Sequence, residues 1–209
     1  MTDQPAAATA ADDTLHADPH EIARHWLPGN EHPDRPQITL VTNGLDGYPT
    51  GRTVLLSEVT DTGFAFHTDA RSRKALEIEA DARVCIVIVW PDFYRQLVIH
   101  GEARRQSEER IAAAYHRRSP YLKQLAWVND ADYARLPYDE RVARWSDAAA
   151  THPEGPVEPS PTWVGFDVVP ARYLFWESSP VTASRRTEFR RNGSGADAPV
   201  SWAVDHLPG

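Results

Sequence analysis

The stretch ARSRKALEIEADARVCIVIVW, residues 70–90, carries two different periodicities in succession. Its first half has the helical spacing of Ala75, Leu76, Ile78 and Ala80. Its second half, residues 83–90, is nearly all apolar and β-branched, as expected of a strand buried on both faces. The helical half is unusual in its charge order, because Arg71, Arg73 and Lys74 crowd its start while Glu77, Glu79 and Asp81 come late. A helix N-terminus carries about half a positive charge and favours carboxylates, each worth roughly 0.3 to 1 kcal/mol. Three cations there oppose the dipole unless an anion sits among them. Free backbone N–H groups, the Ser72 hydroxyl and fixed positive charge together describe a phosphate cradle.

Outward from this segment the pattern is one of short strands. Residues 37–42 and 51–58 alternate on either side of turns at Asn43-Gly44 and Asp46-Gly47, and Asp61-Thr62-Gly63 leads into residues 64–68, which predicts an antiparallel meander. Residues 96–104 are the expected hairpin partner of 83–90 across Pro91-Asp92. Helices are predicted over 20–27, 72–80, 107–116 and 138–150; the third opens Ser107-Glu108-Glu109, which obeys the dipole rule that the second breaks. Four prolines make 151–161 a loop. Late strands are expected over 163–169, 173–176, 187–191 and 201–207, with a turn at 193–195. Many short strands with few helices and no regular βαβ alternation indicate a mainly β fold, an antiparallel barrel with flanking helices.

With 209 residues and 41% hydrophobic content, the chain suffices for one compact domain, residues 20–209, behind a polar arm over 1–19 that reads as disordered. A net charge of −8 argues against general binding to nucleic acid or anionic membrane. Nothing resembles a signal peptide or a run of roughly 18 to 20 apolar residues, so a cytoplasmic protein is expected. Cys85, the only cysteine, excludes an intrachain disulfide and reads as an inert buried thiol. Among nine histidines, His16, His20, His25 and His32 cluster early, in a segment typical of a mobile arm; no metal site is expected, and surface imidazoles account for them. No GxGxxG or GxxxxGK[ST] loop is present, so any nucleotide cofactor is held another way.

Taken in order, Arg52-Thr53-Val54-Leu55-Leu56, Phe66-His67-Thr68, Ser72-Arg73-Lys74 and Trp90-Pro91 followed by Arg95-Gln96 resemble the pyridoxamine 5'-phosphate oxidase family, whose pattern runs R-x-V-L-L, F-x-T, S-R-K, W-P-x-x-x-R-Q. Phe175-Trp176, Arg186, Phe189, Arg190-Arg191 and Trp202 to Pro208 continue the resemblance, which spans residues 37–208. It implies a split β-barrel homodimer with FMN at the subunit interface. Arg52, Arg73, Lys74 and Thr68, with Ser72 and His67 beside them, would surround the FMN phosphate. Val54 to Ser57, including Leu55, and Gln96 would line the isoalloxazine side, with Thr53 a further cofactor contact. Trp176 and Arg186 would reach the flavin across the dimer, where Arg186 could stabilise negative charge on the reduced ring. A dianionic phosphate suits two arginines and one of the chain's two lysines, through charge-assisted hydrogen bonds.

The substrate side departs from the pattern. Ser57 stands where pyridoxine phosphate oxidases carry a lysine, and Ala114 and Leu122 replace their tyrosine and serine phosphate ligands. Tyr115 lies next door, and Arg118 alone of that group remains. Thr182-Ala183-Ser184 replaces R-L-H, and Ala131-Asp132 replaces a Gln-Ser pair. Each lost charge-assisted bond removes about 1.5 to 3 kcal/mol, so a less anionic substrate is expected to sit among Ser57, Tyr115, Arg118, Thr182 and Ser184. The resemblance thus implies an FMN-dependent oxidoreductase, oxidase or dehydrogenase, acting on a small cyclic or nitrogen-containing molecule, as in specialised metabolism. The alternatives are a pyridoxine/pyridoxamine 5'-phosphate oxidase of vitamin B6 metabolism, a non-catalytic flavin-binding protein and a reductase using deazaflavin F420.

Overall fold

A computed structural model describes residues 18–90, 94–193 and 200–209. The first 17 residues of the expected arm, the hairpin turn at Pro91-Asp92 and all but Gly193 of the turn at 193–195 lie outside the described residues. The chain opens with α1, Pro19–Trp26, capped by Asp18, whose side chain accepts from the His20 N–H. His20 is buried rather than part of a mobile arm or the surface. Its Nδ1 meets the Tyr173 hydroxyl at 2.8 Å and its Nε2 the Thr60 carbonyl at 2.7 Å, which ties the helix across one end of the core.

Two strands, β1 (Gln37–Asn43) and β2 (Pro49–Leu55), form the first hairpin. Its turn needs glycine at Gly47, where φ is +85°. Two residues past β2 the chain enters β3 (Glu58–Val59), which pairs with β4 (Phe64–Asp69). After α2 (Arg73–Ala80) come β5 (Arg83–Val89) and β6 (Arg95–Arg105), then α3 (Glu108–His116), α4 (Pro120–Val128), α5 (Ala131–Arg135) and α6 (Tyr138–Thr151). Strands β7 (Trp163–Glu177), β8 (Arg185–Asn192) and β9 (Ser201–Pro208) finish the chain.

The sheet runs β2-β1-β5-β6-β7-β4-β3, all antiparallel, with β8 and β9 extending from β7. Because β3 continues β2 after only Leu56 and Ser57, this path returns on itself and closes a barrel. Ile38, Leu40, Leu56, Phe64, Phe66, Ile86, Leu97, Ile99, Val168 and Tyr173 fill its interior. The expected meander holds only at its end: the strand expected over 51–58 is interrupted at Leu56 and Ser57, and β3, through Glu58 and Val59, pairs with β4 across the turn, while the other edge of β4 pairs with β7, a hundred residues later.

Two further expectations change. Strand β5 is buried on one face only, through Val84, Ile86 and Ile88, while Cys85, Val87 and Val89 stay partly open on the outside. Residues 163–169 and 173–176 are one strand, β7, because Pro170 falls at the register shift opposite His100/Gly101, where a missing N–H breaks no ladder. Helices α4 and α5 were not anticipated, although Ser119-Pro120 is a helix-start signal: the Ser119 hydroxyl accepts from the Leu122 N–H.

Candidate functional site

Helix α2 begins immediately after β4, so the turn through residues 69–72 presents its N-terminus beside Thr68. Ser72 occupies the N-cap with extended backbone, yet its side chain makes no cap bond and lies instead 3.2 Å from the Thr68 hydroxyl. The first-turn N–H groups are thus left without the usual side-chain acceptor. Lys74, half-buried, donates to Thr68 Oγ1 at 3.0 Å, and among the described residues no carboxylate pairs with it. Burial, and then the charge of Arg52, push its pKa below the ordinary lysine value.

The other two cations expected around a phosphate, Arg52 and Arg73, are already engaged. Arg52 donates to Glu77 Oε2 at 2.6 Å and to Thr42 Oγ1 at 2.6 Å, and Arg73 donates through Nε to Glu77 Oε1 at 2.8 Å and on to Asp46 at 3.1 Å. Thr42 completes the set with a 2.5 Å hydrogen bond to Glu77, whose side chain is wholly buried. Burial pushes the Glu77 carboxyl up, but the bonds from Thr42 and Arg73 with the charge of Arg52 outweigh it and hold it below the ordinary carboxylate value. In the sequence Glu77 is one of three late acids with no assigned role, and the structure makes it the anion of this cluster. Its signal was the i,i+4 spacing to Arg73 on an otherwise apolar helix face.

A second group stands where β4 and the start of β7 meet α3. Paired with Gly165, His67 leaves the barrel wall and stacks on Trp163, with ring centroids 4.5 Å apart and planes 11° from parallel. His67 Nδ1 is 2.9 Å from Ser57 Oγ, and its Nε2 is 3.1 Å from Gln106 Oε1. The Arg118 guanidinium lies 4.8 Å from the centroid of the same Trp163 ring, and among the described residues no carboxylate pairs with it. Burial lowers its pKa to about 10. Burial first, and then the charge of Arg118, lower the pKa of His67 to about 3, which leaves the imidazole neutral at physiological pH. Tyr115 packs edge-on against Trp163, and its hydroxyl donates to the Pro156 carbonyl at 3.0 Å.

A third group lies at the other end of β7. Gln96, Trp176 and Arg186 stand in one cross-strand row over β6, β7 and β8, and Thr182 and Ser184 belong to the loop that precedes β8. Ser184 packs against the C-terminal Gly209. Along β7, Trp163 and Trp176 are thirteen residues apart, about 40 Å of strand at roughly 3.3 Å per residue. One chain therefore brings Arg52, Thr68, Ser72, Arg73 and Lys74 together, and Ser57, His67, Tyr115 and Arg118 together, but holds Gln96, Trp176, Arg186, Thr182 and Ser184 apart from both. On β2, Arg52 and Val54 alternate with Thr53 and Leu55, the latter two on the outer face. That outer face continues over Val41, Cys85, Val87, Val98 and Leu174, partly exposed, with a groove of about 360 Å³ lined in part by Val41, Cys85, His100 and Ala171.

No helix among the described residues is long and apolar enough to cross a membrane, and no group of three or more His, Cys, Asp or Glu there could hold a metal ion. Residues 31–175 match the family model described as pyridoxamine 5'-phosphate oxidase. The chain is 34% identical to the pyridoxine/pyridoxamine 5'-phosphate oxidase of Thermosynechococcus vestitus, over 84% of each chain, and 35% identical to that of Erythrobacter litoralis, over 88% of each. Among solved structures it resembles PhzG from Burkholderia lata in complex with tetrahydrophenazine-1-carboxylic acid, with a TM-score of 0.74 at 19% identity, over 94% of this chain and 95% of the other. A pyridoxamine 5'-phosphate oxidase-related, FMN binding protein from Nostoc punctiforme aligns with a TM-score of 0.66 at 21% identity, over 83% of this chain and 88% of that one.

Proposed function

Since the chain belongs to the pyridoxamine 5'-phosphate oxidase family, we propose that it is an FMN-dependent oxidoreductase acting on a small cyclic or nitrogen-containing substrate. The observation that carries this reading is Lys74, a half-buried ammonium without an acidic partner among the described residues, beside an uncapped helix N-terminus. A phosphate ester there would accept from Lys74, the Thr68 and Ser72 hydroxyls and the free N–H groups of α2. Arg52 and Arg73 retain net positive charge in the cradle even after pairing with Glu77 and Asp46, since Lys74 adds a third cation to two carboxylates. Bound flavin supplies the two-electron chemistry, taking up or giving a hydride. The protein supplies orientation and charge.

The separated third group supports a homodimer. Gln96, Trp176 and Arg186 lie too far along β7 to serve the cradle of their own chain, and a two-fold axis through the apolar outer face would carry them to the cradle of a second copy. Arg186 would then stand as a cation for the reduced flavin. Arg118, without a carboxylate partner among the described residues, suits an anionic group on the substrate. A heterocyclic carboxylic acid, the class that the Burkholderia lata protein holds, fits Arg118 and Ser57 better than a phosphate that needs a lysine at position 57.

The protein as purified, freed of unbound ligand, is expected to be yellow with two visible bands, and Lys74→Ala to weaken FMN uptake by the apoprotein at least tenfold. A colourless protein that refuses FMN, or uptake unchanged in Lys74→Ala, refutes the reading; a single dominant band would identify a deazaflavin. The relatives' names favour a second reading, a vitamin B6 oxidase. Brisk turnover of pyridoxine 5'-phosphate at micromolar concentration would establish it over a divergent substrate.

A further inference from the structure

The polar side chains between β4 and α3 form a hydrogen-bonded chain whose direction is set from one end. The Asp167 carboxylate, ion-paired with Arg110, accepts from Gln106 Nε2 at 2.8 Å. With its nitrogen so engaged, the Gln106 amide turns its oxygen to His67 Nε2, 3.1 Å away. A carbonyl only accepts, so Nε2 bears the imidazole proton. A neutral imidazole has one N–H, which leaves Nδ1 bare, and Ser57, 2.9 Å away, must donate to it. The hydroxyl has a single proton. Once that proton is given to His67, Ser57 can only accept from anything else.

The surroundings hold this arrangement in place. Gly165 opposes His67 on β7, and a Cβ there would stand 2.2 Å from Gln106 Oε1 and 2.8 Å from His67 Cδ2, so only glycine leaves room for the pair. The Gln106 N–H donates to the Gly165 carbonyl at 2.9 Å, and the Ser57 N–H to the Ala65 carbonyl at 2.8 Å, which fix both ends of the chain. Stacking on Trp163 fixes the plane of the imidazole. Charging of the imidazole, which would reverse the last link, is opposed by burial and by Arg118.

We propose that Ser57 is a specificity-determining acceptor: committed to His67, its hydroxyl selects a substrate that presents an N–H or O–H donor and discriminates against one that presents a carbonyl, ether or ring oxygen at that point. This rests on reading the Ser57–Arg118 side as the substrate pocket. The substrate class it defines is an acid, for Arg118, that also carries a ring N–H or hydroxyl donor. A lysine at position 57 would recognise the opposite polarity, because an ammonium only donates.

The first test is nitrogen NMR on the full-length protein with labelled histidine. His67 is expected to carry its proton on Nε2 with Nδ1 bare, and the Nδ1 signal is expected to shift in Ser57→Ala while the tautomer persists. A proton on Nδ1 in the wild type overturns the proposal. The second test titrates indole-2-carboxylate and benzofuran-2-carboxylate, which differ in N–H against O, following the same His67 signals. The indole acid should bind about tenfold more tightly, the ratio that one hydrogen bond of about 1.4 kcal/mol supplies. In Ser57→Ala the ratio should fall close to one. Equal binding of both probes, binding of neither, or a ratio that survives in Ser57→Ala overturns the proposal. Neither measurement needs flavin, so failure to take up FMN would refute the cofactor reading alone.

Discussion

Lowering the pH from 7 to 5 should cost the folded protein stability through His67, and replacing that residue should remove this part of the cost. Burial and the charge of Arg118 hold the folded His67 near a pKa of about 3, against an unfolded value of about 6.5. The sign follows from proton uptake: below about pH 6.5 the unfolded chain binds a proton at this position and the folded chain does not. Stability therefore falls as the pH falls, by about 1.4 kcal/mol per unit, until the folded imidazole itself titrates near pH 3. Between pH 7 and pH 5 the loss integrates to about 2 kcal/mol. For a chain of this size that is roughly 4 to 8 °C in melting temperature. Urea denaturation of wild type and His67→Gln at both pH values, at one protein concentration and ionic strength, measures it. The remaining histidines and the acids titrate in both proteins and cancel in the comparison, as does any constant cost of the substitution itself. If both proteins lose the same stability between the two pH values, His67 is not buried as a neutral ring and the reasoning fails.

Glu77→Gln removes the buried charge that holds Arg52 and should destabilise the protein by about 3 kcal/mol, the low end for breaking a buried pair, because Arg52 keeps some solvent contact; chemical denaturation reads this, and a loss below about 0.5 kcal/mol would show that the pair is inert. The same variant should weaken FMN uptake in a flavin titration, since Arg52 and Arg73 lose their shared anchor. Gly165→Ala should disturb the His67 and Gln106 NMR signals and lower the melting temperature, because the added Cβ meets both side chains. Lys74→Ala and Arg186→Ala, each expected to be poor in flavin alone, should recover part of the uptake when unfolded together and reassembled, because a mixed form of the proposed dimer would have one intact site; the absence of any recovery would refute the site shared between two copies.

Much of the fold was legible because the strands are short, alternating and bounded by turn residues. Residues 37–42, 64–68, 83–90 and 96–104 became β1, β4, β5 and β6 within a residue or two at most ends. What escaped was set by partners distant in sequence. Strand β4 pairs with β3 before it, as the meander predicts, but its longer pairing is with β7. Residues 83–90 read as buried on both faces because Cys85, Val87 and Val89 are apolar, although one chain covers only the alternate side chains. The Pro170 interruption read as a strand end and proved to be a bulge opposite Gly101.

By itself the sequence determined the family motifs, the antiparallel β character and the reversed charge order at the start of α2. These depend on residue type and spacing over a few positions, where local geometry and the helix dipole act. Only the tertiary structure decided that Glu77 also supplies the anion for Arg52 while Lys74 has no carboxylate partner among the described residues, and that Ser57, His67 and Gln106 join in a chain of one hydrogen-bond direction. It also separated Trp176 and Arg186 from the cradle along β7. Charge pairing and hydrogen-bond direction depend on distances of about 3 Å, and closing the barrel sets those distances between residues 10 to 61 positions apart.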